Sequence, residues 1–194
     1  MMVEVLKDVL RSLYSHFGNA LLLTFLFMFF YERIQANGLQ KSISEFFGKL
    51  RTDVDFRNVT LLALYTFMIL SRTILARSYW QDHPLKNIIG MWTLHTSDGS
   101  LYTENIDNAI LFMPFSFLAL RIKAHRNPTD FSVAALLKKG TKLAFVFSIG
   151  IEFLQLFFKL GAFQLSDIFF NTLGGMLGGL CYIMGKKVHE RLSK

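Results

Sequence analysis

Glu152 stands in the apolar string FSIGIEFLQLFF, residues 147–158. An ionisable side chain in such a run is costly, and a partner, a water-filled cavity or a function is needed to justify it. Ser148, Glu152, Gln155 and Lys159 recur at steps of three and four, which puts them on one face of a helix. A carboxyl group there suits acid–base chemistry, or it can sit protonated or paired with an arginine and merely hold helices together. Asp167 and Asn171 share a face of the following run, SDIFFNTLGGMLGG. Asp167 also fits a helix cap that accepts backbone N–H groups. In NIDNAILFMPFSF, Asn105 and Asn108 share a face, Asp107 flanks it, and Pro114 breaks the hydrogen-bond ladder. Arg72 and Arg77 lie in a further apolar run. Arg72, the deeper of the two, could balance Glu152 or Asp167 or grip a lipid phosphate. Arg77, near Tyr79 and Trp80, could simply snorkel to an interface.

These groups need apolar helices to hold them, and the composition supplies them. The chain has 194 residues, 52% of them hydrophobic, and a mean hydropathy of +0.36. About 20 apolar residues cross a bilayer core at ~1.5 Å per residue. The apolar runs predict an all-α integral membrane bundle of about five transmembrane helices, at 13–31, 58–78, 105–122, 140–160 and 164–185. The first run lacks a small-residue cleavage site and is expected to be retained. Residues 1–11 are weakly amphipathic, and 34–56 carry Ile43, Phe46, Phe47 and Leu50 at helical spacing; either stretch fits an interfacial helix. The expected organisation is an N-terminal segment with the first span over 1–57, a transmembrane domain over 58–185, and a basic tail over 186–194.

The formal charge of +7 sits in short loops between apolar runs, which argues against a nucleic-acid partner. Arg33, Lys41, Lys49, Arg51 and Arg57 fill one loop, and Arg121, Lys123, Arg126, Lys138, Lys139 and Lys142 surround another. The 79–104 connection carries Lys86 against Asp82, Asp98 and Glu104. Basic loops face the cytoplasm, so the C-terminus is expected inside and, with five spans, the N-terminus outside. The single cysteine, Cys181, excludes an intramolecular disulfide. His83 and His95 are lone loop histidines without metal-ligand spacing, so neither a metal nor a cofactor is expected.

The expected spans put Arg72, Arg77, Asn105, Asn108, Glu152, Gln155, Asp167 and Asn171 at one depth, toward the outer leaflet. A polar pocket built from four helices is the economical reading, with Trp92, His95 and Tyr102 of the long connection as a cap. Gly174/Gly178 and Gly175/Gly179 form two overlapping GxxxG patterns that would dock the last span on a neighbour.

The ordered strings Asn108-x-x-x-Phe112-x-Pro114-Phe115, Ser148-x-x-x-Glu152-x-x-Gln155 and Asp167-x-x-x-Asn171-x-x-Gly174-Gly175 resemble the VanZ-like family over about residues 60–185. Asn87-Ile88-Ile89-Gly90 is similar to that family's Asn-Leu-Ile-Pro stretch. The family's Arg-x-x-Asp-x-x-Asp pattern is represented here by Gly161, Gln164 and Asp167, and its Phe-x-Pro-x-Gly pattern has Ser116 in place of glycine. The resemblance implies a cell-membrane protein of Gram-positive bacteria that confers low-level resistance to teicoplanin-type glycopeptides. It supplies no mechanism.

Two mechanisms fit the residues. The pocket could bind a lipid-linked cell-wall precursor, another envelope lipid or the glycopeptide itself, with the arginines on phosphate and Asn105, Asn108, Ser148, Gln155 and Asn171 on sugar or peptide groups. Alternatively, Glu152 and Asp167 could act as an acid/base pair on a lipid ester, phosphoester or glycosidic bond. A transporter or a scaffold fits less well, since no internal repeat is evident.

Overall fold

The computed structural model describes residues 2–31, 39–78, 83, 85, 87–90, 92, 103–126 and 132–192. These residues form helices and contain no strand. In chain order the helices are α1 (Met2–Ser15), α2 (Phe17–Tyr31), α3 (Leu39–Thr52), α4 (Val54–Leu70), α5 (Glu104–Arg126), α6 (Val133–Phe158) and α7 (Leu165–Leu192). A π-helical turn, Ser71–Leu75, prolongs α4.

Among the described residues, three helices are long and apolar enough to cross a membrane: Val54–Leu75, Val133–Phe158 and Leu165–Leu192. The all-α membrane bundle therefore stands, but with fewer helices meeting that standard than the five expected. The apolar part of α2, Phe17–Phe29, is too short. In α5, Glu104 and Asp107 in the first turn and Lys123, His125 and Arg126 in the last give it polar ends. It nonetheless packs against α4, α6 and α7, as deeply as any other helix. The outer faces of the bundle are apolar and open: Val146, Phe153 and Phe157 on α6 are all more than half exposed. Exposed apolar area of that extent suits lipid rather than water.

Local chemistry sets the helix ends. The Asp53 carboxylate accepts the Asp55 and Phe56 amides at 2.8 and 3.1 Å and starts α4. The Ser132 hydroxyl accepts the Ala135 amide and starts α6. That helix stops at Lys159, whose left-handed backbone (φ 52°) reverses the chain toward α7 within a few residues.

Glycines decide how α7 packs. A Cβ on Gly174 would collide with the Ala109 carbonyl, and one on Gly178 with the Met113 carbonyl, so α7 lies backbone-on-backbone against α5. Gly175 faces the other way, against Ala144 of α6 and Ser116 of α5. With lipid tails as apolar as leucine, such close contact is what holds membrane helices together. Helix α3, inside the stretch expected to be amphipathic, lays Phe46 edge-on against Phe25 of α2 and Phe56 of α4, at 5.2 and 5.4 Å.

Candidate functional site

The polar side chains converge at the end of the bundle where α4 finishes, α5 begins, α6 finishes and α7 begins. Serine, carboxylate and amide alternate along α6 at helical spacing and face inward: Ser148, Glu152 and Gln155 are each at most 2% exposed. Asn171 Nδ2 donates to Ser148 Oγ at 2.9 Å, joining α7 to α6. Gln155 Nε2 donates to the Thr73 carbonyl at 3.0 Å, joining α6 to the π turn. That turn bonds Ala76 N back to Ser71 O, five residues away, so its ladder is out of helical register. Gln155 thus serves a carbonyl in the irregular stretch.

Glu152 holds the start of α7. Its Oε2 accepts the Gln164 amide at 2.9 Å, while the next amide, Leu165, donates to the Ile88 carbonyl at 2.8 Å. Two of the unfilled N–H groups of a helix start are met from outside the helix. Asn87–Gly90 is therefore a docking turn for α7. Gly90 is left-handed (φ 74°), and a Cβ there would run into Ser166. Trp92 packs nearby, its ring tilted against Phe169 at 5.2 Å and Phe170 at 6.1 Å. Of the residues expected to cap the pocket, Trp92 packs on Phe169 and Phe170 of α7, while His95 and Tyr102 lie outside the described residues.

Asp167 sits in the first turn of α7, not at its cap. Asn108 and Ser166 are its side-chain neighbours, and Arg77 and Glu104 act on it by charge. Glu152 feels Asp167, Arg77 and Glu104. The two carboxyl groups singled out in the sequence are therefore in one electrostatic cluster.

The arginines are placed differently from the sequence expectation. Arg72 pairs with Asp107 of α5 (Nη2–Oδ2 3.6 Å). Neither Glu152 nor Asp167 is its ion-pair partner; Asp107, only a flanking residue in the sequence, is. Arg77 pairs with Glu104 at 3.8 Å and lies across the turn before α7, where a Cβ on Gly161 would stand 2.7 Å from Arg77 Nη1. Arg77 is thus part of the cluster and fills the space over Gly161. Asn105 is fully buried at the start of α5. Pro114 lies mid-helix in α5, and the Tyr65 hydroxyl donates to the neighbouring Leu111 carbonyl at 2.9 Å.

Sequence reading missed Thr73, Glu104 and the Gln164 amide. The motif spacing around Gly161 pointed to the last of these; no local signal announces a π turn. Several buried atoms keep unused hydrogen-bonding capacity: Gln155 Oε1, Asp167 Oδ1, Asn171 Oδ1 and Arg72 Nη1 have no protein partner. Buried polar atoms seldom go unpaired. Three acceptors and one guanidinium N–H within a single cluster suit a bound polar group or ordered water. Among the described residues no group of His, Cys, Asp and Glu could hold a metal ion.

Residues 38–186, from α3 to near the end of α7, match the family described as VanZ/LLP1. The chain is 29% identical over 136 residues to "Protein VanZ" of Enterococcus faecium, covering 66% of this chain and 74% of that one. No solved structure matches it.

Proposed function

The chain belongs to the VanZ/LLP1 family, and from that premise we propose that it lowers susceptibility to teicoplanin-type glycopeptides. In this reading it does so by engaging a lipid-linked cell-wall precursor or a related envelope lipid at the polar end of the bundle. Its setting is the cell membrane, with that end facing outward and the basic loops facing the cytoplasm. The observation that carries the reading is the unused hydrogen-bonding capacity around Glu152, Gln155, Asp167 and Asn171.

Stability alone does not account for this cluster. Interhelical hydrogen bonds in membrane bundles contribute on average about 0.6 kcal/mol each. A carboxylate at mid-membrane costs roughly 2.5–3.5 kcal/mol, less near an interface. The three bonds of Glu152, Gln155 and Asn171, about 1.8 kcal/mol together at that average, fall short of that cost, so a ligand is the simpler reason for the cluster. Arg72 and Arg77 would meet phosphate, and the amides would meet sugar or peptide.

The test is teicoplanin susceptibility in a strain that depends on this protein, with lipid binding measured on the purified chain. Arg72→Ala and Arg77→Ala should each restore susceptibility at least fourfold and weaken binding, with the protein still present in the membrane. Unchanged susceptibility together with no binding of any envelope lipid by the parent protein would overturn the reading.

A second reading is favoured by the electrostatic contact of Glu152 with Asp167. The pair would work as acid and base on a lipid substrate. Glu152→Gln separates the two readings, because the amide oxygen can still accept the Gln164 N–H but cannot transfer a proton. Binding predicts that resistance survives; catalysis predicts that it is lost while lipid binding remains.

A further inference from the structure

At the other end of the bundle, α4, α5 and α7 line an open cavity of about 640 Å³. Its rim carries Arg121 and His125 from α5 and Lys186 and His189 from α7. Its walls are mostly apolar, with Phe117 and Tyr182 meeting edge to face at 5.7 Å, and include one further polar side chain, the buried Asn58. Among the described residues, no Asp or Glu lines it. Among the described residues at this end, Glu190 pairs with Lys186 at 3.9 Å on the exposed face of α7, and Asp55 pairs with Arg126. None of these residues takes part in the polar cluster around Glu152.

We propose that this cavity binds the phosphate headgroup of an anionic membrane phospholipid, drawn from the leaflet on the basic side of the bundle. Three features support a lipid. Arg121 offers a planar fork of donors for phosphate oxygens, and Lys186 supplies a point charge across from it. The volume is that of a site for a molecule well beyond bare phosphate, since pockets for drug-sized ligands span roughly 300–1,000 Å³. Beyond the charged rim, Val54, Phe117, Ala124 and Tyr182 offer apolar wall beside the Asn58 amide, which suits a glycerol backbone and the first acyl carbons. Basic pockets between membrane helices on the cytoplasmic side are the usual setting for such headgroups. The lipid would bridge α5 and α7 where the glycine contacts have already run out: Gly185 meets nothing within 4 Å.

The experiment uses the full chain in nonionic detergent, titrated with phosphatidylglycerol or phosphatidylcholine, with bound lipid counted by native mass spectrometry. The parent protein should prefer phosphatidylglycerol at least tenfold. Arg121→Ala with Lys186→Ala should lose most of that preference. Lys138→Ala with Lys142→Ala removes the same charge from exposed positions of α6, outside the cavity, and should change it less than twofold. Lys186→Gln, at a side chain 41% exposed, is a milder variant that should fold and bind at least threefold more weakly. Inorganic phosphate at millimolar concentration should not compete. Equal binding of the two lipids, equal loss in both double variants, or full competition by inorganic phosphate would each overturn the assignment, the last by making the site one for free phosphate.

Discussion

Single residues at the polar end do two jobs, and their energies tell them apart. Ser148 and Asn171 tie α6 to α7 through one bond of 2.9 Å. In a double-mutant cycle, Ser148→Ala with Asn171→Leu should give a coupling of about 0.6 kcal/mol and no more than ~1.7 kcal/mol, read from unfolding in micelles or bicelles. A coupling well above that range would make the pair a structural clamp and weaken the ligand reading. Gly161 works differently: its missing Cβ leaves the space that Arg77 Nη1 occupies, 2.7 Å from where that carbon would be. Gly161→Ala should push the guanidinium away. We expect teicoplanin resistance to fall by at least half while the melting temperature stays within about 4 °C, because the arginine side chain, 36% exposed, can swing outward. Loss of the fold in this variant would assign Gly161 to packing instead. The sequence marked Gly161 only as a departure from a family pattern. It could not show which side chain takes up the space, because Arg77 is distant along the chain.

At the scale of elements, the same contrast separates what was legible from what was not. Apolar runs of helical length located α4, α6 and α7, since a span announces itself by composition and length, but α6 starts at 133 rather than 140 and α7 ends at 192 rather than 185, where the sequence turns polar. The overlapping GxxxG patterns pointed to a close neighbour but not to two of them: Gly174 and Gly178 face α5, and Gly175 faces α6 and α5. Partner identity depends on which helix returns alongside, and spacing within one helix carries no trace of that. The π turn at Ser71–Leu75 was likewise invisible, since nothing in the string SRTIL distinguishes it from ordinary helix. These contacts make an ordered prediction. Gly178→Ala puts a methyl group against the Met113 carbonyl, where backbone must move, and should cost at least ~1–3 kcal/mol. Gly150→Ala, with nothing within 4 Å, should be neutral or stabilise α6 by up to about 1 kcal/mol through helix propensity. Unfolding of the two variants in the same detergent checks the ranking, and equal effects would mean that α5 and α7 are not in backbone contact.

For the whole molecule, the two candidate sites lie at opposite ends, so a single orientation assigns both. The polar cluster is built where α5 and α7 begin, and the basic cavity where they finish. Near the first end, Phe17 lines a cleft with Tyr65 and Met68 of α4. At the second, Tyr31 at the close of α2 receives a hydrogen bond from Arg126, which also pairs with Asp55. Helix α2 therefore runs antiparallel to α4, with its start toward the polar end and the C-terminal part of α7 at the basic end. Charge bias across a bilayer then decides which end is outside, since lysine and arginine are retained on the cytoplasmic side. Replacing Cys181 by alanine leaves a chain without cysteine, because no other is present. In that background, Thr103→Cys reports on the polar end and Lys187→Cys on the basic end. An impermeant maleimide applied to intact cells should label the first strongly and the second only after permeabilisation. The opposite pattern would turn the polar cluster toward the cytoplasm, out of reach of an extracellular glycopeptide. It would remove the proposed role in resistance and leave the phospholipid site intact but in the other leaflet. One labelling experiment therefore tests the leaflet of both sites, and only one of the two proposals survives its reversal.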